Sequence, residues 1–161
     1  MKRIILFTCF ILLALFLYAD DSMQIKVDNV EIEVPLGWFA HYTKQPQIFF
    51  LYSPLEDDYD DFQENCNLMK EKLPGKYSME EYMKASINAV KDVYTGLVIE
   101  ETGKNYYIFS GIVNDIEVQQ IQYYYIKNNY AYILTFSAIP ASFEMYFNVF
   151  FKKIAESFKI N

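Results

Sequence analysis

Residues 116–158 read IEVQQIQYYYIKNNYAYILTFSAIPASFEMYFNVFFKKIAESF, and their patterning decides the fold. From Ile116 to Ile126 the residues alternate, with Gln119, Ile121, Tyr123 and Tyr125 on one side and Gln120, Gln122 and Tyr124 on the other. Period two is the signature of a β-strand. Lys127-Asn128-Asn129 then turns the chain, helped by the tolerance of Asn for positive φ. Tyr130 to Ser137 alternates again, with Tyr130, Tyr132, Leu134 and Phe136 on one face. Pro140 ends that strand and Ser142 is placed to cap a helix. Phe143, Phe147, Phe150, Phe151, Ile154 and Phe158 then fall on one helical stripe, with Lys152 and Lys153 opposite. A strand hairpin followed by an amphipathic helix means a sheet with a helix packed on it.

The residues before this hairpin extend the same plan. Tyr106 to Val113 is β-rich, with a two-residue turn at Asn114-Asp115, and Leu97 to Glu101 precedes it beyond a turn at residues 103–105. Ser78-Met79-Glu80-Glu81 is a capping box, predicting a helix from there to about Tyr94 that Gly96 ends. Its apolar face should hold Tyr82, Ser86, Ala89, Val90 and Val93. Further upstream, Val30, Ile32 and Val34 alternate with Glu31 and Glu33 as a strand closed by Pro35-Leu36-Gly37 and Trp38. Ile48 to Tyr52 reads as a strand buried on both faces. Asn65 to Met69 is a further short strand. Strands in two blocks, with helices set apart between and after them, predict an α+β domain on an antiparallel sheet of about six strands.

The N-terminal end has a different character. Met1-Lys2-Arg3 is basic, Ile4 to Tyr18 carries no charge, and Ala19 precedes Asp20-Asp21. That is the layout of a secretory signal peptide over 1–19, leaving one domain over 20–161. The apolar run is shorter than the roughly 20 residues of a spanning helix. Leu17 is large for its position before the cleavage site, so an uncleaved anchor is the competing reading, and the only route to a membrane. The expected compartment is the periplasm or the cell exterior. Cys9 would leave with the signal, making Cys66 a lone thiol with no disulfide partner.

The chain of 161 residues holds 21 acidic and 14 basic side chains. An acid excess argues against a nucleic-acid partner and against docking onto anionic lipid. No nucleophile elbow is present, and His41 is the only histidine. One His and one mature Cys fall short of a zinc site. The reading is therefore of a protein without catalytic or cofactor-binding residues. Asp57, Asp58, Asp60, Asp61 and Glu64 are the candidate metal ligands, because clustered carboxylates repel unless a hard cation sits among them. Weak calcium or manganese binding is the expectation if they act at all; a solvated charged loop is the alternative. Tyr123, Tyr125, Tyr130 and Tyr132 are the candidate partner-binding residues if their sheet face is open, and core if helices cover it.

The ordered set of features resembles the PsbP-like family, which includes the DcrB proteins of bacteria and a Ran-binding protein of yeast. The resemblance rests on Val34-Pro35-Leu36-Gly37-Trp38, Met79-Glu80-Glu81-Tyr82, the Asn128-Asn129 hairpin into Tyr132-Ile133-Leu134-Thr135, and Ile154-Ala155-Glu156-Ser157-Phe158. It departs at Asn128-Asn129, where such proteins usually carry a Gly. The resemblance implies an αβα sandwich and no shared catalytic motif. Its members serve as photosystem subunits, small-GTPase partners and chaperones of secretion effectors. The resemblance itself implies little about function; taken with the signal layout and the missing nucleophile and cofactor motifs, it leads to the expectation of an exported, non-catalytic accessory protein engaging a protein partner in the envelope, with a cation-binding accessory using the acidic loop 56–64 or a cradle for apolar segments as alternatives.

Overall fold

The structure is a computed structural model that describes residues 22–56 and 62–161. In chain order come β1 (Ser22–Val27), β2 (Val30–Pro35), β3 (Phe39–Tyr42), β4 (Gln47–Tyr52), β5 (Asn65–Lys72) and α1 (Met79–Lys91). They are followed by β6 (Thr95–Thr102), β7 (Tyr106–Val113), β8 (Ile116–Lys127) and β9 (Tyr130–Ala138). The chain closes with α2 (Pro140–Tyr146), a π-helical turn (Phe147–Phe151), α3 (Lys152–Ser157) and β10 (Lys159–Ile160). Seven strands form the main sheet in the order β3-β4-β5-β9-β8-β7-β6, and β1-β2-β10 form a small second sheet. The pairings are antiparallel.

Strand β9 lies at the centre because it can be buried on both sides. Every residue from Ala131 to Ala138 is buried. Tyr132, Leu134 and Phe136 face one way, here face B, and join Tyr146, Phe150, Phe151 and Ile154 of the C-terminal helical segment in the main core. The inner side of the small sheet (Ile25, Val30, Ile32, Val34) joins the same cluster. Ala131 and Ile133 face the other way, face A, and meet Tyr82 and Met83 of α1 together with Leu73 and Tyr124. One helical layer on each face makes this an αβα sandwich, as expected.

The two-residue turns follow from Asn and Asp. Asn128 (φ 53°) and Asn129 (φ 64°) both adopt positive φ, as do Asn114 and Asp115, which is the twist that tight hairpins need. Asn-Asn therefore makes this turn without a glycine. The capping box forms as expected, with the Glu81 amide donating to Ser78 Oγ and the Ser78 amide to the Glu81 carboxylate.

Several expectations are corrected. Among the described residues there are ten strands, seven of them in the main sheet; β1, β3 and β10, which sequence reading did not find, are short and carry little alternation. Helix α1 stops at Lys91, and Gly96 lies within β6. Its buried residues are Tyr82, Met83 and Ile87, not Ala89 or Val93, because Tyr82 and Met83 in its first turns are the side chains that pack on Tyr124, Ala131 and Ile133. The last helix starts at Pro140, whose fixed φ suits a first helical position, and Ser142 is not its cap. Strand β4 is not buried on both faces: Phe50 and Tyr52 are half-buried.

Phe136→Ala should lower stability by about 3–5 kcal/mol in urea unfolding, since that ring is fully buried against Tyr123 and Phe151. Val98→Ala, on the exposed edge strand, should change it by less than about 0.5 kcal/mol.

Candidate functional site

Of the candidate metal ligands, Asp57, Asp58, Asp60 and Asp61 lie outside the described residues. Glu64 is 3% exposed at the base of β5, and its carboxylate accepts a hydrogen bond from the Ser142 hydroxyl at the start of α2. The Tyr146 phenol donates to Glu56 at 3.1 Å. Burial, and then the negative charges of Glu64 and Glu56, push the Tyr146 phenol well above its ordinary pKa. Ser53 Oγ, 1% exposed, lies beside that phenol without a well-formed hydrogen bond. Among the described residues, no three His, Cys, Asp or Glu side chains converge as a metal site would require.

The four candidate tyrosines do share one face, but it is face B, which the C-terminal helices and the small sheet cover. Tyr132 is 1% exposed, and its hydroxyl pairs with the Asn29 side chain. Tyr125 packs on Phe158 with ring centroids 5.0 Å apart, and Tyr123 meets Phe136 edge-on at 6.2 Å. Tyr130 lies under the Lys70 ammonium, 4.9 Å from the ring centroid. Lys70 also bonds Asp28 and, at 2.8 Å, Asn29. Burial works against its charge, but Asp28 and Tyr132 outweigh that and hold its pKa above the usual lysine value. This buried cation ties the β1–β2 turn to β5 and β9. The row was legible in sequence; its cover was not, because that depends on where a distant helix lands.

Cys66 and His41 cannot act together. Cys66 pairs with Leu51 and shares face B with Phe136, whereas His41 pairs with Phe50 and shares face A. Cys66 is fully buried, and burial pushes its thiol pKa well above the ordinary value, so the reactive thiolate is suppressed.

Face A offers the more open surface. Helix α1 covers the middle of this face, over β9 and β8, and Tyr94 continues the cover onto Phe109 of β7, 5.6 Å away edge-on. At the β3–β4 end, no helix among the described residues stands over the aromatic rings. Phe39 is 63% exposed and stacks on Tyr52 at 6.5 Å, and Tyr52 stacks on Phe50 at 6.1 Å. Between this aromatic row and α1 the face is polar, through Asn65, Asn67, Thr135, Ser137, Gln120 and Gln122. Gln120 donates to Ser137 at 2.6 Å and accepts from Tyr94 at 2.9 Å, so these groups satisfy one another. Sequence reading missed the row because FAHY at 39–42 is too short to show a period.

No family model matches the chain, and no curated protein matches it in sequence. Solved structures do match it in shape. The Saccharomyces cerevisiae Ran-binding protein Mog1p superposes with a TM-score of 0.63 at 8% identity, over 87% of this chain and 95% of that one. Cyanobacterial PsbP from Synechocystis gives 0.54 at 14% identity, over 87% and 92%. LpqN of Mycobacterium tuberculosis, described as involved in cell envelope biogenesis, gives 0.50 at 12% identity, over 88% and 91%. The chain therefore has the PsbP-like fold. These likenesses establish the architecture, which binding and accessory proteins share.

Burial pushes Tyr123, Tyr124 and Tyr125 up to about 12. Their folded pKa values exceed the unfolded value of about 10, so the native state holds protons that the unfolded chain releases. The stability this represents is fully present below pH 10 and lost as pH rises to about 12. Alkaline titration followed by phenolate absorbance should show these rings ionising together with loss of tertiary structure. Ionisation of Tyr123, Tyr124 or Tyr125 themselves near pH 10, read residue by residue by NMR with the fold intact, would contradict their burial.

Proposed function

We propose that this chain is an exported, non-catalytic accessory protein of the bacterial envelope that engages a partner protein through the open end of face A. The observation that carries the reading is the row Phe39–Tyr52–Phe50, which no helix among the described residues covers and whose outer ring, Phe39, is exposed. Exposed aromatic rings on rigid strands bury area at small entropic cost, which is why such residues dominate binding hot spots. Export is supported by the layout of residues 1–19, a basic start, an apolar run and Ala19. No helix among the described residues is long and apolar enough to cross a membrane. The Ran-binding and envelope-biogenesis roles printed for two structural neighbours fit a binding module. The suppressed thiol of Cys66, on the opposite face from His41, supports a role without nucleophilic chemistry.

Two measurements test this. Protein recovered from an envelope extract should begin at Asp20 on N-terminal sequencing; a chain that retains Met1 would instead be anchored by its leader. Partner capture from that extract should fall about tenfold or more for Phe39→Ser/Tyr52→Ser, the loss expected of a hot-spot pair, with the melting temperature little changed. Equal capture by the variant would place the partner elsewhere.

A further inference from the structure

Face B of the main sheet is wider than its cover. Seven strands spaced about 4.8 Å apart set β3 and β6 roughly 29 Å from each other. The main core draws face B side chains from β4, β5, β9 and β8, among them Leu51, Cys66, Phe136 and Ile121. On β7 it reaches Tyr106 and Ile108. The other half of β7 and the facing part of β6 lie beyond it. There Ser110 pairs with Val98 and Gln119, and Ile112 pairs with Thr95 and Glu117. Alternation from Ile108 puts these residues on face B. Among the described residues, Val98 and Ile112 join neither core cluster and are 56% and 43% exposed. They are diagonal neighbours across two strands, so their side chains form one apolar patch.

Acids frame this patch. Glu117 lies directly across from Ile112. The Gln119 side-chain amide donates to Glu100, and the Tyr106 phenol donates to Glu101. Both donors are neutral, so neither bond supplies a positive charge. The ion pairs among the described residues, Lys26 with Glu31 and Lys70 with Asp28, lie elsewhere. Between Lys91 and Lys127 the sequence holds five acids and one base, Lys104, in the β6–β7 turn at the far end of that hairpin from Ile112.

An exposed apolar patch with a rim of one sign marks an interaction surface. Charge and shape indicate what fits it. An added strand is disfavoured, because the register of β6 with β7 shifts twice and β6 carries Glu100 and Glu101. The strip over β6 and β7 is two strands wide, which matches the roughly 10 Å diameter of a helix. Three carboxylates around an apolar pair call for Lys or Arg flanking an apolar stripe. The same carboxylates repel an anionic bilayer. A second copy in a two-fold pairing would set them against themselves.

We infer that face B over β6 and β7 takes a cationic amphipathic helix of a partner protein. This surface lies on the opposite face and at the opposite edge of the sheet from the Phe39 row, so it is a second docking site and stands without the first. Apolar side chains one helical turn apart rest on Val98 and Ile112. Basic side chains beside them meet Glu100, Glu101 and Glu117, which fixes orientation and rejects acidic segments.

The test uses isotope-labelled protein recovered after export and three synthetic peptides of equal length. The first is built from Leu and Lys so that its helix has one apolar stripe flanked by ammonium groups. The second has Glu in place of Lys, and the third is the first with its order scrambled so that no stripe forms. The first peptide should shift the amide signals of Val98, Ser110, Ile112 and Glu117. The acidic and scrambled peptides should bind about tenfold more weakly, or not at all. Glu100→Gln/Glu117→Gln keeps shape and removes two charges; it should fold and bind the first peptide about tenfold more weakly at low salt, with a smaller salt dependence. Val98→Ser/Ile112→Ser alters exposed side chains; it should fold and bind about tenfold more weakly with the salt dependence kept. The inference is overturned by signal shifts centred elsewhere, by equal binding of the acidic or scrambled peptide, by unchanged binding in either folded variant, or by no binding of any peptide. Shifts at Val98 and Ile112 that grow with protein concentration alone would overturn it in favour of a second copy. Binding to anionic vesicles that Val98→Ser/Ile112→Ser loses would overturn it in favour of a membrane surface.

Discussion

Everything in this molecule is arranged around the burial of β9 on both faces. A central strand can be apolar on both sides only if its backbone is paired on both edges and each face has a cover. Strands β5 and β8 provide the pairing. On face B, Leu134 and Phe136 meet the C-terminal helical segment, each contributing about 1.5–3 kcal/mol by burial. On face A, Ala131 and Ile133 meet α1. Small side chains at Ala131 and Ala138 let the covering layers come close.

The two covers are unequal. Face B carries a long helical segment with a π-helical turn, plus a small sheet fastened by Trp38 against Phe150 and Phe151 and by Lys70 bonded to Asp28 and Asn29. Breaking the Lys70 contact would leave a buried charge unpaired, which is far costlier than never having built it. Among the described residues, the thirteen-residue α1 is the only helix on face A. Thr135, Ser137 and Gln120 are buried polar residues on this face, and Gln120 is satisfied by Ser137 and Tyr94. Beyond them the aromatic row and the β3 edge stand open, rigidly held because β4 is anchored to β5.

What was legible in the sequence was what local physics specifies. The alternation of Val30, Ile32 and Val34, the Ser78–Glu81 box and the Asn128-Asn129 turn each carry their own structural instruction, and each is realised. So is the architecture as a whole, a sheet between helical layers. The short strands β1, β3 and β10 were not legible, because two to six residues with mixed polarity show no period and owe their form to their neighbours. The site was less legible still. Tyr132 and Phe39 are both aromatic residues on period-two strands, yet one is 1% and the other 63% exposed. That difference is set by where the helices dock, a tertiary outcome no local pattern encodes. The thiol and imidazole that a catalytic reading would have paired are parted by the same alternation that places Leu51 and Phe50 on opposite faces of β4.

The central claim is a sheet locked at β9 and open at β3. Native-state amide exchange, resolved by residue in the exported protein alone, addresses it most directly. The account predicts that Ile133, Leu134 and Phe136 exchange only through global unfolding, while Ala40 and Tyr42 exchange nearly as fast as unprotected amides. Protection of Ala40 and Tyr42 comparable to that of β9 would mean that the edge is already occupied, and would contradict the account.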